Sequence, residues 1–384
     1  MSISVIIPFY NETIFLDEAV RSVLGLGDRL HQLLIIDDSP GLFPQILGRV
    51  RALDSRIEVV TNARNMGASA ARNEGLKRVT GKQVLFLDSD DAISSLALLQ
   101  ASERMEREAA DLVHIPTMVM NHRTSTMFRF PRDDRLFGKA AKDLSSGTFP
   151  DIRYALANWS FLFDADYLAR NAIAFDPEQR MFEDHLFILN AVEKADNIAL
   201  LGTWGHVWRK RGGSLTTTNY NATDMASQLA SIRKCLGFLT ETHGSDSFVV
   251  QRDVAFCLSR YVMTWPTLTW ALAHTGDTEA ADLLEDIAAA FRPYTLTKEV
   301  CANSAMERLF GSHLRLFSGP ALATSRMHEV FETLVAGDWA GLASQLAIPV
   351  AASTMDSKAQ SDPRLDDQGV LSALGRFHGS VSDS

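Results

Sequence analysis

Cysteine is scarce in this chain of 384 residues: Cys235, Cys257 and Cys301 are an odd number at wide spacing. That excludes a disulfide framework and a paired-cysteine zinc site, and a reducing cytoplasm is the expected setting. Long apolar runs are also missing. No stretch approaches the ~18 residues of a membrane span, and the apolar N-terminus is broken at Pro8 with no basic segment ahead of it. No membrane span or standard secretion signal is expected, and any membrane contact would be peripheral, at the inner face. Positive charge is short too: 37 Lys and Arg against 47 Asp and Glu leave a net charge of -10, the wrong sign for unspecific attraction to nucleic acid. An anionic ligand would need cations gathered locally.

Two nucleotide-binding motifs are absent. The first apolar run leads into no G-x-G-x-x-G; Gly25-Leu26-Gly27 is followed by Leu30 where a third glycine belongs. Gly81-Lys82 resembles the end of a P-loop, but Gly75 lies one residue too far away and Gln83 replaces the Ser or Thr that would hold Mg²⁺.

What is present is apolar material in a regular order. Hydrophobic residues are 46% and charged residues 22% of the chain, enough for large cores and, at about 150 residues per domain, two or three units. Over the first 115 or so residues, short runs rich in Ile, Val and Leu (Ile3–Ile7, Leu33–Ile36, Ile57–Val60, Val84–Leu87, Leu112–Ile115) alternate with amphipathic stretches. This predicts an α/β fold, a Rossmann-like, mostly parallel sheet with helices on both faces. The first helix shows Leu16, Val20, Val23 and Leu24 on one face, with Asn11 as its expected cap. From about Thr117 to Thr148 the pattern weakens, and an irregular, partly mobile excursion is expected. Trp159, Trp204 and Trp208 then fall among Phe161, Phe163, Phe175, Phe182 and Phe187, read first as core packing and second as a cleft wall.

Beyond about Thr218 strand signals vanish. Met225, Leu229, Ile232, Leu236 and Leu239 fall at alternating spacings of four and three, and Val254, Leu258, Tyr261, Val262 and Trp265 continue the theme. The expectation is a catalytic unit over 1–218, an α-helical domain over 219–350, and a disordered tail over 351–384, rich in Ser, Asp, Gly and Gln. A homodimer seam through the helical region is the second reading of the stripe.

In open α/β sheets ligands sit beyond the carboxyl ends of the strands. There the sequence places Pro8-Phe9-Tyr10-Asn11-Glu12, offering a ring face and an amide to a nucleobase, and Asp37-Asp38-Ser39-Pro40, whose carboxylates could accept from a base or ribose or simply cap a turn. After the fourth run come Asp88-Ser89-Asp90-Asp91. Three carboxylates in four residues repel one another unless a cation lies among them, and hard oxygen ligands suit Mg²⁺ or Mn²⁺ bridging to a diphosphate.

Taken together, these elements resemble the GT-A-fold glycosyltransferases of family two. The family pattern V-I-I-P-x-Y-N-E is matched by Val5 to Glu12, D-D-x-S loosely by Asp37 to Pro40, N-x-G-x-x-x-A-R-N-x-G by Asn65 to Gly75, and D-x-D-D by Asp88 to Asp91. Weaker likeness continues through Asn158 to Phe163, Phe182-Glu183-Asp184-His185, and the basic-glycine-serine stretch Trp208 to Thr216. The resemblance implies an inverting transferase moving a hexosyl or N-acetylhexosaminyl group from a nucleotide-diphosphate sugar, with UDP the expected nucleotide. The acceptor would be a hydroxyl on a glycan, polymer or small molecule. It implies Asp184 as general base beside Glu183; a donor site of Pro8, Phe9, Tyr10, Glu12, Asp38, Asn65, Gly67, Arg72, Asp88, Ser89, Asp90, Arg209, Arg211 and Ser214; and Mn²⁺ or Mg²⁺ at Asp90 and Asp91. A nucleotidyltransferase, or a sugar-nucleotide-binding module without catalysis, is the competing expectation.

Overall fold

The first apolar run extends into the seven-residue strand β1 (Ile3–Phe9), which pairs in parallel with β2 (Leu30–Asp37) and β4 (Gln83–Phe86), while β2 pairs in parallel with β3 (Ile57–Thr61). The computed structural model describes residues 2–211, 222–259, 266–302 and 326–346. Its chain divides into two units, Met1–Arg211 and Gly212–Ser384.

The large sheet of the first unit has eight strands in the order β3-β2-β1-β4-β10-β6-β11-β9, adding β6 (Leu112–His114), β9 (Ala141–Leu144), β10 (Phe161–Asp164) and β11 (Ile198–Leu200). It is mostly parallel, as read, but β10 enters antiparallel between β4 and β6, and β9 runs antiparallel along β11. Strand alternation gives the sheet two cores. Ile3, Val5, Ile7 and Phe9 pack on one side with α1 (Leu16–Leu24), α2 (Pro44–Arg51) and α4 (Ser95–Glu108). Ile6, Leu34, Ile36 and Phe86 pack on the other with α3 (Ala68–Leu76), α6 (Ala165–Arg170) and α7 (Glu183–Lys194). Helices therefore cover both faces.

The region expected to be irregular is ordered: β7 (Thr117–Asn121) and β8 (Thr126–Arg129) form a hairpin, followed by α5 (Pro131–Leu136). With β5 (Ala92–Ile93) and β12 (His206–Lys210) they make a second sheet, β5-β12-β7-β8. Its polar outer positions, such as Thr126 and Arg129, hid the strands from a search for apolar runs.

In the second unit, α8 (Ala222–His243), α9 (Phe248–Cys257), α10 (Pro266–Ala273) and α11 (Thr278–Phe291) are followed by short helices over Lys298–Cys301, Met327–Val335 and Trp339–Gln345. Met225, Leu229, Ile232, Leu236 and Leu239 are all buried within the single chain. The stripe is spent on intramolecular packing, the first of its two readings. Tyr261, Val262, Trp265, Ser214 and the segment 351–384 lie outside the described residues. Among the described residues, no helix is long and apolar enough to cross a membrane.

Candidate active site

The polar residues converge where the strand ends of the large sheet meet the start of α7. β1 runs out into Tyr10, a largely exposed ring (56%), whereas Phe9 is fully buried and meets Phe43 edge-on at 5.8 Å. Phe9 shares the core face of Ile3, Val5 and Ile7, so the ring expected to stack on a base is a core residue; of the two rings, Tyr10 offers the open face. Pro8 pairs in register with Ile36 of β2 inside the sheet. Asn11 has a left-handed φ of 57° and does not cap α1. Glu12 serves that turn instead, its Oε1 accepting from the backbone N–H of Ile14 (2.8 Å) and Phe15 (3.0 Å).

Asp38 is buried and fully engaged. Its carboxylate accepts from Asn62 Nδ2 (2.8 Å), Met66 N (2.8 Å) and Gly67 N (2.7 Å). It shapes the loop before α3, where Gly67 at φ +84° makes a turn that a side chain would strain. Asn65 folds over the same loop, its Oδ1 accepting from Gly67 N at 3.0 Å. In this conformation Asp38 organises the loop, and each of its carboxylate oxygens already accepts two hydrogen bonds.

The acidic run after β4 splits by direction. Asp88 and Asp90 keep partly exposed carboxylates (31% and 21%). Asp88 Oδ1 accepts from Arg72 Nη2 at 2.9 Å; Asp90 Oδ2 accepts from Arg211 Nε at 2.9 Å, and Arg211 Nη2 also reaches Glu12 Oε2 at 2.8 Å. Burial, then the neighbouring charges of Asp91 and Asp88, push Asp90 up to about 7 against the pull of Arg211. Ser89 between them is buried. Asp91, expected as a metal ligand, turns inward: it is buried, accepts from Arg209 N at 2.8 Å and lies 3.3 Å from His206 Nε2. It locks β12 against the end of the acidic run. Arg209, expected at the diphosphate, is buried as well. Its Nε donates to the Asp90 carbonyl, its Nη2 pairs with Glu18, and its guanidinium lies over the Phe15 ring at 4.3 Å. Of the two arginines, Arg211 is the one beside an open carboxylate.

Helix α7 begins abruptly. Phe182 adopts φ +59°, a left-handed conformation costly for a bulky residue, and throws Glu183 and Asp184 into the first helical turn. Glu183 Oε1 accepts from Arg72 Nη1 at 2.6 Å. The Asp184 carboxyl lies 3.9 Å from His185 Nε2, with a side chain 23% exposed. Burial, and after it the charge of Glu183, push Asp184 up to about 8; Arg72 opposes the rise and Asp88 adds to it. His185 is buried and tilted against the Phe182 ring. A carboxyl with that proton affinity can hold and release a proton near neutrality, the property a general base needs.

Sequence reasoning missed two anchors. His206, fully buried, stacks on the partly buried Trp159 with ring centroids 4.0 Å apart, so that ring serves packing. Ser69 and Asn73, one turn apart on α3, hold the segment leading to α7; their i, i+4 spacing was the available signal. Among the described residues, no three His, Cys, Asp or Glu side chains converge as a metal cage.

These features define an α/β domain with a carboxylate base candidate beside a cluster of acidic and basic side chains at the strand ends. Residues 4–168 match the model for glycosyl transferase family 2. The chain is 28% identical to the uncharacterized glycosyltransferase EpsJ of Bacillus subtilis over 57% of its own length and 64% of that protein's. It is 26% identical to a poly(ribitol-phosphate) beta-glucosyltransferase of Bacillus spizizenii over 57% of its length and 34% of that protein's. The match thus spans less than two thirds of either relative. Among solved structures, S. aureus TarS 1-349 in complex with UDP-GlcNAc shares the fold, with a TM-score of 0.67 at 20% identity over 93% of this chain and 95% of that one.

Proposed function

We propose that the chain transfers a sugar from a UDP-sugar to an acceptor hydroxyl with inversion of the anomeric configuration, Asp184 acting as base. The observation that carries this reading is the placement of Asp184 in the first turn of α7, next to Glu183, which Arg72 joins to Asp88 just after β4; the raised proton affinity of Asp184 agrees with it. An acceptor hydroxyl is too weak a nucleophile to attack unaided, and proton removal as it attacks contributes about 10²- to 10⁴-fold. Attack from the Asp184 side, opposite the diphosphate, inverts the sugar in one displacement. Tyr10 stacks on the base, Asp88 receives the ribose, and Arg211 draws negative charge toward the leaving diphosphate. The complex of the fold neighbour with UDP-GlcNAc supports a UDP donor.

The donor set fits a divalent cation in part. Asp88 and Asp90 supply hard oxygens on partly exposed carboxylates, and Asp90 is raised first by burial and then by the charges of Asp91 and Asp88. Mg²⁺ and Mn²⁺ commonly take one or two carboxylates and complete their shell with substrate phosphates. Bound there, such an ion supplies charge neutralisation of the leaving diphosphate. Asp91, sealed behind β12, is outside this set.

Residues 1–218 form the catalytic part in this reading, 219–350 a helical appendage and 351–384 a dispensable tail, in a cytoplasmic protein peripheral to the inner membrane face. The test is product analysis with a panel of UDP-hexoses and UDP-N-acetylhexosamines. Release of UDP, with an inverted product, is expected from the full chain and from a chain ending at 350. Release of pyrophosphate would make the protein a nucleotidyltransferase, and saturable donor binding without turnover on any acceptor would make it a binding module.

A further inference from the structure

The buried guanidinium of Arg72 lies between two carboxylates from distant parts of the chain. It donates through Nη2 to Asp88, sixteen residues away at the end of β4, and through Nη1 to Glu183, 111 residues away at the start of α7. Its face lies 5.3 Å from the Phe175 ring centroid. We propose that Arg72 is a positioning residue that fastens the base-bearing turn of α7 to the donor end of β4, acting through Glu183, and is not itself a donor ligand. The proposal rests on the transferase reading above.

Three residues on one face of α3 support it. Asn73 brackets the start of the segment ahead of α7, donating from Nδ2 to the Phe175 carbonyl (2.8 Å) and accepting at Oδ1 from Phe175 N (2.9 Å). Ser69 Oγ donates to the Gln179 carbonyl at 3.1 Å in the middle of that segment. Arg72 takes the end, immediately after the left-handed Phe182. A strained turn persists only where its surroundings over-determine it, and the Arg72–Glu183 pair is an anchor on the helical side of Phe182. Spanning two carboxylates at once requires a planar fork; a lysine ammonium could keep the charge but not both directions. Asp184, the neighbour of Glu183, is then oriented by a residue that acts on it through Glu183.

The experiment uses the full chain with Arg72→Lys, Arg72→Gln, Glu183→Gln and the double variant Arg72→Lys/Glu183→Gln. Hydrogen exchange, read without any substrate, should quicken about tenfold or more over residues 176–186 in both Arg72 variants while β1 and β2 keep their protection. With a UDP-sugar, kcat should fall about 10²-fold in Arg72→Lys with donor KM within about threefold of wild type. The double variant should lose little beyond Arg72→Lys, because the two residues act as one tie. Unchanged exchange over 176–186, a KM effect with kcat intact, or additive losses would each overturn the proposal. If the wild-type chain turns over no UDP-sugar, the transferase reading fails, and the exchange arm still decides the tie.

Discussion

Asp90 and Asp91 are neighbours in one acidic run and end in opposite surroundings. Asp90 faces the cleft, partly exposed and answered by Arg211; Asp91 faces inward, sealed against Arg209 N and His206. The two lie in the turn between β4 and β5, closed by Asp91 N donating to the Asp88 carbonyl at 3.1 Å, and the turn leaves one carboxylate partly exposed and buries the other. A motif written as letters treats them alike. Tyr10 and Phe9 divide in the same way, one ring exposed and the other buried, and of the two arginines Arg209 is buried while Arg211 is partly exposed.

The largest effect should come from the cleft side at α7: Asp184→Asn keeps size and hydrogen-bonding reach, so transfer should fall by about 10²-fold or more while UDP affinity by calorimetry stays within about threefold. The same variant should unfold at higher temperature than wild type at pH 8. Burial raises the folded proton affinity from an ordinary 3.8 to about 8, so the folded state is penalised progressively as pH rises between those values, and the two melting curves should converge near pH 4. Next in size, Asp90→Asn should weaken donor binding in the presence of Mn²⁺ by about tenfold or more, a loss of at least ~1.4 kcal/mol.

Behind the cleft, Gly75→Ala would place a Cβ 2.5 Å from Ile6 Cγ2, and overpacking of this kind costs about 1–3 kcal/mol in denaturant unfolding with donor affinity retained. The smallest effect is expected on the sealed side. Asp91→Asn keeps an acceptor for Arg209 N, so turnover should stay within about threefold; a loss as large as that of Asp90→Asn would return Asp91 to the donor site.

The strands of the first half are the most legible part of the fold. Their runs of Ile, Val and Leu mark buried parallel strands, and β1, β2 and β3 start or end within a few residues of the expected limits. The short β10 was not legible: Phe161, Leu162 and Phe163 are three apolar residues with no period, and only their place between β4 and β6 makes them a strand. The hairpin of β7 and β8 hid for a related reason, since its second strand turns Thr126, Met127 and Arg129 to solvent. At the site, residue types and spacing marked the carboxylates and arginines but not their directions. Those depend on packing partners remote in sequence, such as Glu18 under Arg209 and Glu183 beside Arg72. Arg72 therefore reads as a donor contact in the motif and stands as a buried bridge in the fold.

If Asp184 is the base, its burial sets the pH at which the site works. The most direct measurement is the pH dependence of kcat/KM for transfer, which reports the free enzyme. The rate should climb with pH through an apparent midpoint near 8, as the Asp184 carboxyl loses its proton, and Asp184→Asn should retain only a slow rate without that rise. A midpoint near the ordinary 3.8 of an aspartate in the wild type, or the same rise persisting in Asp184→Asn, would show that Asp184 is not the base.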